Sequence, residues 1–373
     1  MSAQPSVVHV LWAGEIGGIE RLVTDLARAQ ISAGGRVCVA FGRLGGPFVA
    51  EVEATGCSVF DLRLESGYDV RPGRLLHAGR GLAEWEVIHL HTFNVPLAVC
   101  VLLSRRPVVF TDHGSVPFGR SAGMAEALKH GLRGVFLRRW VRRTAANSHH
   151  TAARASRAHR MARSSIRVVH NGLDLTSIHA NEHPSPEAGI TAVFVGRLVA
   201  FKRVDRIIEA ARQLPPEAPV RILIVGGGPM AADLRQRAKR VTLTDRIRFL
   251  GPRADVANIL STADVLLAPS VDEPFGLAAV EGCAAGLLPA VFADGGGLLE
   301  VVPPDALIVK DPGELASALA ALPGSPALAH PARAKRAKWV AERFSIAHTE
   351  RSYRELYRSA LGAGAGRTKG DPP

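Results

Sequence analysis

Glu273 and Glu281 bracket the run EPFGLAAVE, an E-x7-E spacing with Pro-Phe-Gly directly after the first acid. A helix starting near Phe275 or Gly276 leaves free backbone N–H groups and a partial positive charge at its first turn. That is a phosphate site, and Gly276 has no side chain to hold a ligand away. Glu281, inside such a helix, can reach a hydroxyl flanking the phosphate, while Glu273 in the preceding loop can reach its other side. Two glutamates at this spacing are more often simply solvated, so the pair needs support from elsewhere.

The elements that would position them follow from hydrophobic runs. Val265–Ala268 suits a short buried strand, broken by Pro269, Ser270 and Pro274. Upstream, Ala192–Val195 is a strand followed by GRLVAFKRVD, where Arg197 and Lys202 can clamp a diphosphate. Ile222–Val225 is the next strand and ends in Gly226–Gly228 and Pro229; Ile247–Leu250 follows after a helix. The first half has the same rhythm. Val7–Trp12 is a strand, Gly14, Gly17 and Gly18 form a turn, and Ile19, Leu22, Val23, Leu26 and Ala27 recur at helical spacing. The turn suits a phosphate or is merely tight; it is not the dinucleotide GxGxxG. Strands Arg36–Phe41, Val87–Leu90, Val108–Phe110 and Ile166–Val169 come next. Two of them end in polar residues: His91 and Thr92, then Thr111, Asp112 and His113. Strand C-termini of a parallel sheet face the ligand. His91 serves equally well as a structural hydrogen-bonding residue, and His113 beside Gly114 is the better ligand contact. Alternating strands and helices in both halves give an α/β chain of two facing, doubly wound, Rossmann-like domains with a cleft between them.

Composition fits that plan. The chain has 373 residues, enough for two ordinary domains, and 47% of them are hydrophobic. No signal peptide is expected from its first residues, and no apolar run reaches membrane-spanning length; the densest is Val95–Leu103. Cys38, Cys57, Cys100 and Cys283 are scattered in apolar settings without a CxxC, which reads as buried free thiols in a reducing cytosol. The net charge of +12 is concentrated, with eleven Lys or Arg and no acid between Lys129 and Arg167. No nucleic-acid motif accompanies it. Leu128, Leu132, Val135, Phe136 and Trp140 share a helical face, with Lys129, Arg133, Arg138, Arg139, Arg142 and Arg143 around it. The pattern suits an interfacial helix at an anionic membrane, or a core-packed helix with a solvated basic face.

The ordered set of pieces resembles a GT-B glycosyltransferase of the retaining GT4 type (glycosyl transferases group 1). The pieces are GGIE at Gly17–Glu20, TDHG at Thr111–Gly114, NGLD at Asn171–Asp174, GRL with Lys202, GGGP at Gly226–Pro229, EPFGLAAVE, GGLLE at Gly296–Glu300 and Phe344–Ser345. The resemblance implies a nucleotide-diphosphate sugar as donor. Arg197 and Lys202 match the cations on the diphosphate, Glu281 the carboxylate on the ribose, and Glu273 the glutamate near the donor sugar. Phe275, Gly276 and Leu277 match its backbone donors, Gly17, Gly18 and Gly228 its glycine loops, and His113 the histidine near the reaction centre. Arg203 stands where the family often has glycine.

These readings imply a cytoplasmic, hexosyl-transferring enzyme, peripheral on the inner membrane face if residues 124–167 bind anionic lipid. The acceptor would be a hydroxyl of a glycan or glycolipid. No cofactor is expected, and the lack of any D-x-D pair leads to the expectation of no metal. An epimerase of the same fold and a non-catalytic nucleotide-sugar or partner-binding protein remain as alternatives. Residues 1–180 would form the first domain with the returning helix 345–361, residues 181–344 the second, and 362–373 a disordered tail. The linker is placed at Asn181–Gly189.

Overall fold

The structure, a computed structural model, describes residues 4–14, 17–114, 124–176, 178, 189–241, 243 and 245–362. Most of the expected linker, 181–188, and the tail beyond Gly362 lie outside the described residues. The chain divides into two compact units, Met1–Gly172 with Ile346–Pro373, and Leu173–Ser345. The division at Gly172 precedes the expected boundary at 180 because Leu173 bridges Ser345 and packs into the second unit's core.

The first unit carries strands β1 (Val7–Ala13), β2 (Val37–Arg43), β3 (Ser58–Asp61), β4 (Val87–Leu90), β5 (Val108–Asp112), β6 (Arg143–Ala146) and β7 (Ile166–Val168). They form one sheet in the order β3-β2-β1-β4-β5-β6-β7, with every pair parallel. Its helices are α1 (Gly18–Ser32), α2 (Pro47–Ala54), α3 (Pro72–Leu82), α4 (Val95–Ser104), α5 (Met124–Trp140) and α6 (His149–His159). The second unit has β8 (Ile190–Val195), β9 (Val220–Val225), β10 (Ile247–Gly251), β11 (Val265–Ala268), β12 (Leu288–Phe292) and β13 (Leu307–Val309), in the order β10-β9-β8-β11-β12-β13. With it go α7 (Asp205–Gln213), α8 (Ala231–Arg240), α9 (Val256–Ser261), α10 (Leu277–Ala284), α11 (Pro312–Ala320) and α12 (His330–Phe344). A last helix, α13 (Ile346–Gly362), belongs to the first unit. In both sheets the strand order reverses beside the first strand, at β1/β4 and at β8/β11. Ligands of open parallel sheets sit at such reversals.

Two-residue periodicity explains how each sheet is covered on both faces. In β8, Ala192 and Phe194 join the core under α7, α8 and α11, while Val193 joins the core under α10 and α12. In the first unit, Val8 and Val10 face the α3/α4 side, and Val7 and Leu11 face the opposite layer. His9 lies between those two and pairs in register with His89 of β4.

The basic stretch folds differently from its sequence reading. The helix ends at Trp140, and Arg143 already begins β6. Arg133 is buried, not arrayed on a basic face: its guanidinium lies 4.8 Å from the Phe110 ring centroid and 3.8 Å from Asp112. Phe136 is buried too, whereas Leu128, Leu132, Val135 and Trp140 remain exposed. The apolar residues read as one face are thus divided between the core and the surface.

One backbone contact fixes the second unit's strand ends. A Cβ on Gly226, whose φ is +133°, would stand 1.9 Å from the Gly196 carbonyl oxygen. Gly226→Ala is therefore expected to lower unfolding stability by about 3 kcal/mol or more. Chemical denaturation measures it, and a loss below about 1 kcal/mol would contradict the packing described.

Candidate functional site

In the second unit, four loops converge at the C-terminal ends of β8, β9, β11 and β12. Leu198 N–H donates to the Gly227 carbonyl at 2.8 Å, tying the Gly196–Lys202 loop to the glycine turn. Gly228 has φ +150°, and a Cβ there would meet the Leu198 carbonyl at 2.6 Å. Val271 N–H donates to the Phe201 carbonyl at 2.9 Å, and Asp272 N–H to that of Asp294 at 2.9 Å. Glu273 is held from both sides: its N–H donates to the Gly295 carbonyl at 3.1 Å, and its carbonyl accepts from Gly297 at 2.8 Å.

The side chains follow. Lys202 Nζ donates to Glu273 Oε2 at 2.7 Å, with both groups largely shielded from solvent. Arg197, five residues earlier on the same loop, is exposed. Arg206 forks onto Asp294 with bonds of 2.7 and 2.6 Å and lies 4.5 Å from the Phe292 ring centroid, bracing the loop from below. Gly276 caps α10 in the left-handed region, φ +102°, and Leu277 is the first helical residue. A Cβ on Gly276 would come within 2.6 Å of Leu298. Phe275 turns into the core, its ring centroid 5.9 Å from that of Phe344. Glu281 is buried within α10. Arg203 occupies the left-handed region at φ +48°, a conformation that glycine adopts more easily, and its fork onto Asp205 holds it there.

In the first unit, Gly17 caps α1 with extended backbone and Gly18 opens the helix. Glu15 and Ile16, just before them, lie outside the described residues. His113 follows β5 and joins a group of which the sequence reading had His91 and Thr111, with His91 as a structural hydrogen-bonding residue, but not His9 or His89. His9 of β1, His89 of β4 and Thr111 of β5, with His91 and His113 just past the ends of β4 and β5 at the next alternate positions, form one hydrogen-bonded group against Gln30 of α1 and Tyr353 and Tyr357 of α13. The H-L-H spacing at positions 89–91 was the available signal. His9, His89 and His91 offer nitrogens within 4.8 Å of one another, close enough to be weighed as metal ligands. Burial pushes the pKa of His9 and His113 down to about 4 and those of His89 and His91 well below the usual histidine value. The rings are therefore neutral at pH 7.

Two parallel, doubly wound units with ligand loops at their strand reversals define the GT-B class of glycosyltransferases. The chain belongs to the GT4 type within it: residues 16–177 match Glycosyltransferase Family 4, and residues 177–338 match Glycosyl transferases group 1. It is 25% identical over 233 residues to N-acetyl-alpha-D-glucosaminyl L-malate synthase of Bacillus anthracis, 58% of this chain and 58% of that protein. It is 36% identical over 142 residues to GDP-mannose-dependent alpha-(1-6)-phosphatidylinositol dimannoside mannosyltransferase of Mycobacterium tuberculosis, 36% of this chain and 37% of that protein. The matches thus span about half or less of these relatives' length. The fold is similar to that of Anabaena Alr3699/HepE in complex with UDP and glucose, with a TM-score of 0.80 at 19% identity, covering 95% of this chain and 100% of that one.

The neutral histidines carry a stability consequence. Unfolded histidines bind protons below about pH 6.5, whereas His9 and His113 in the fold resist protonation down to about 4. Between those values the unfolded state holds more protons, so stability falls as pH drops through the window. The thermal midpoint is expected to decline from pH 6.5 towards pH 4; a midpoint that stays level there would contradict the buried neutral seam.

Proposed function

We propose that the chain is a retaining glycosyltransferase that moves a hexosyl-type sugar from a nucleotide-diphosphate sugar to a hydroxyl acceptor. The observation that carries this reading is the Lys202–Glu273 pair, 2.7 Å apart, with Glu273 three residues ahead of the N-terminus of α10 at Gly276, which makes no side-chain cap among the described residues. A cation, a carboxylate and a helix N-terminus in one set of loops suit an anionic leaving group next to a sugar.

The bond from the anomeric carbon to the diphosphate oxygen breaks, and its electron pair goes to the diphosphate. Arg197, Lys202 and the N–H groups at Gly276 and Leu277 stabilise that charge as it builds. The acceptor oxygen bonds to the anomeric carbon on the same face, and its proton passes to the leaving phosphate. Glu273 orients Lys202 and lends negative charge near the developing oxocarbenium ion. Glu281 holds the ribose hydroxyls, and Gly17, Gly18 and Gly228 allow backbone to approach the phosphates. No step requires a metal. His113 meets a substrate hydroxyl.

The acceptor is proposed to be lipid-linked, with α5 resting on an anionic membrane. Leu128, Leu132 and Val135 form an exposed apolar stripe along α5, with relative exposures of 64%, 62% and 49%. At the end of that helix a surface cavity of about 600 Å³ is lined by Arg105, Arg106, Arg138, Arg139, Arg142 and Arg143 together with Trp140. Apolar contact beside concentrated positive charge is what an anionic bilayer surface selects. Among the described residues no helix is long and apolar enough to cross a membrane.

A panel of nucleotide sugars in a thermal-shift assay should identify the donor by raising the unfolding midpoint. With that donor, Lys202→Ala is expected to lower kcat/KM by roughly 100-fold or more, and Glu281→Ala to weaken donor binding chiefly; full activity and affinity in both variants would overturn the site assignment. In co-sedimentation with liposomes, binding is expected with anionic lipid and not with neutral lipid, and Leu128→Glu with Leu132→Glu should abolish it. Equal recovery with both lipids would remove the membrane reading.

A further inference from the structure

The polar seam of the first unit is a single connected chain of hydrogen bonds. Gln30 Oε1 lies 2.8 Å from His9 Nε2, His9 Nδ1 lies 2.9 Å from His91 Nε2, and His91 Nδ1 lies 3.0 Å from His113 Nε2. A branch runs from the Gln30 amide nitrogen to the Tyr357 hydroxyl at 3.4 Å, then to His89 Nδ1 at 2.8 Å. From His89 Nε2 it continues to Thr111 Oγ1 at 2.8 Å, and Thr111 lies 3.2 Å from the Tyr353 hydroxyl. All six ring nitrogens of His9, His89 and His91 thus have a partner. A metal bound there would have to break these bonds. The ring nitrogen left over is His113 Nδ1, which is buried and has no hydrogen-bond partner among the described residues.

Each neutral ring carries one proton, so the direction of donation passes from ring to ring. With the Gln30 carbonyl oxygen towards His9, His9 donates from Nε2 and must accept at Nδ1. His91 then donates from Nε2 and accepts at Nδ1, and His113 donates from Nε2. We infer that Gln30, His9 and His91 are positioning residues which fix His113 as the Nε2–H tautomer, presenting the bare Nδ1 lone pair to a hydroxyl of the bound substrate. That the hydroxyl belongs to a sugar-transfer substrate rests on the function proposed above.

The chain sets a tautomer and does not conduct protons. A proton taken up at His113 Nδ1 and relayed inward would have to end on the Gln30 amide oxygen, a very weak base. His113 therefore orients the hydroxyl by accepting its hydrogen bond, and the hydroxyl's proton leaves by another route. The same Gln30 orientation satisfies the branch: Tyr357 accepts from the amide and donates to His89 Nδ1, and His89 Nε2–H donates to Thr111.

The test is long-range ¹H–¹⁵N correlation spectroscopy of the histidine rings in the 373-residue chain near pH 7.5. All four rings of the seam should be neutral, with His113 protonated at Nε2 and bare at Nδ1. Gln30→Leu should convert His113 to a mixture of tautomers and lower kcat roughly 10-fold, the worth of one hydrogen bond, with donor KM within about twofold. Gln30→Glu, which keeps an acceptor facing His9, should restore the single tautomer and most of kcat. A proton on His113 Nδ1 in the unmodified chain, an unaltered tautomer in Gln30→Leu, or stoichiometric metal bound by these rings overturns the inference. A shifted tautomer with unchanged kcat overturns the hydroxyl contact. The unmodified chain's spectrum alone decides the tautomer if Gln30→Leu does not fold. Absence of any transfer activity would instead count against the proposed function, leaving the spectroscopic result to stand separately.

Discussion

A parallel sheet built outwards in both directions from its first strand cannot close its loops over the point of reversal. The connection from β8 leads to one side and that from β11 to the other, so their strand ends stay open where the two sets of loops part. That constraint governs the second unit. It leaves room for the Gly196–Lys202 loop to lie against the glycine turn after β9 on one side and the Val271–Glu273 loop on the other. The Lys202–Glu273 pair bridges the gap and is desolvated enough to hold its geometry. The first unit repeats the reversal at β1/β4, and there it is lined by histidines instead of cations and carboxylates.

The two reversals are held open by different means. In the second unit the restraints are mostly backbone hydrogen bonds and glycines at positive φ, so the loops keep their course with few side chains committed. In the first unit the restraint is a network of side chains from the sheet, α1 and α13. The burial of α13 against the sheet through Tyr353, Leu356 and Tyr357 thus contributes hydrogen-bonding partners as well as apolar area. A helix that arrives from the far end of the sequence therefore completes the polar layer begun by His9 near its start.

What could be read from residues alone was whatever depends on local pattern. Short apolar runs flanked by Glu86 and His91 and by Asp264 and Pro269 marked β4 and β11 at their observed limits, and the loop position of Glu273 and the helical position of Glu281 followed from Pro274 and Gly276. Features that depend on pairing between distant segments were not legible. β6 was hidden because Arg143–Ala146 has little hydrophobic signature of its own and borrows its place from β5 and β7. Arg133 reads as a surface charge until Asp112 and the ring of Phe110 are brought beside it. His9 and His89 are eighty positions apart, and only the β1/β4 register makes them neighbours.

Cys38, Cys57, Cys100 and Cys283 are all free and buried, and burial pushes the thiols of the first three up to about 12 and raises that of Cys283 as well. At neutral pH only about one in 10⁵ of such groups would be ionised. The native surface is thus silent towards maleimides and other thiolate-seeking dyes. A cysteine installed at an exposed position such as Leu132 would become the single reactive handle, and fluorophores or spin labels could be attached there without first removing any native residue.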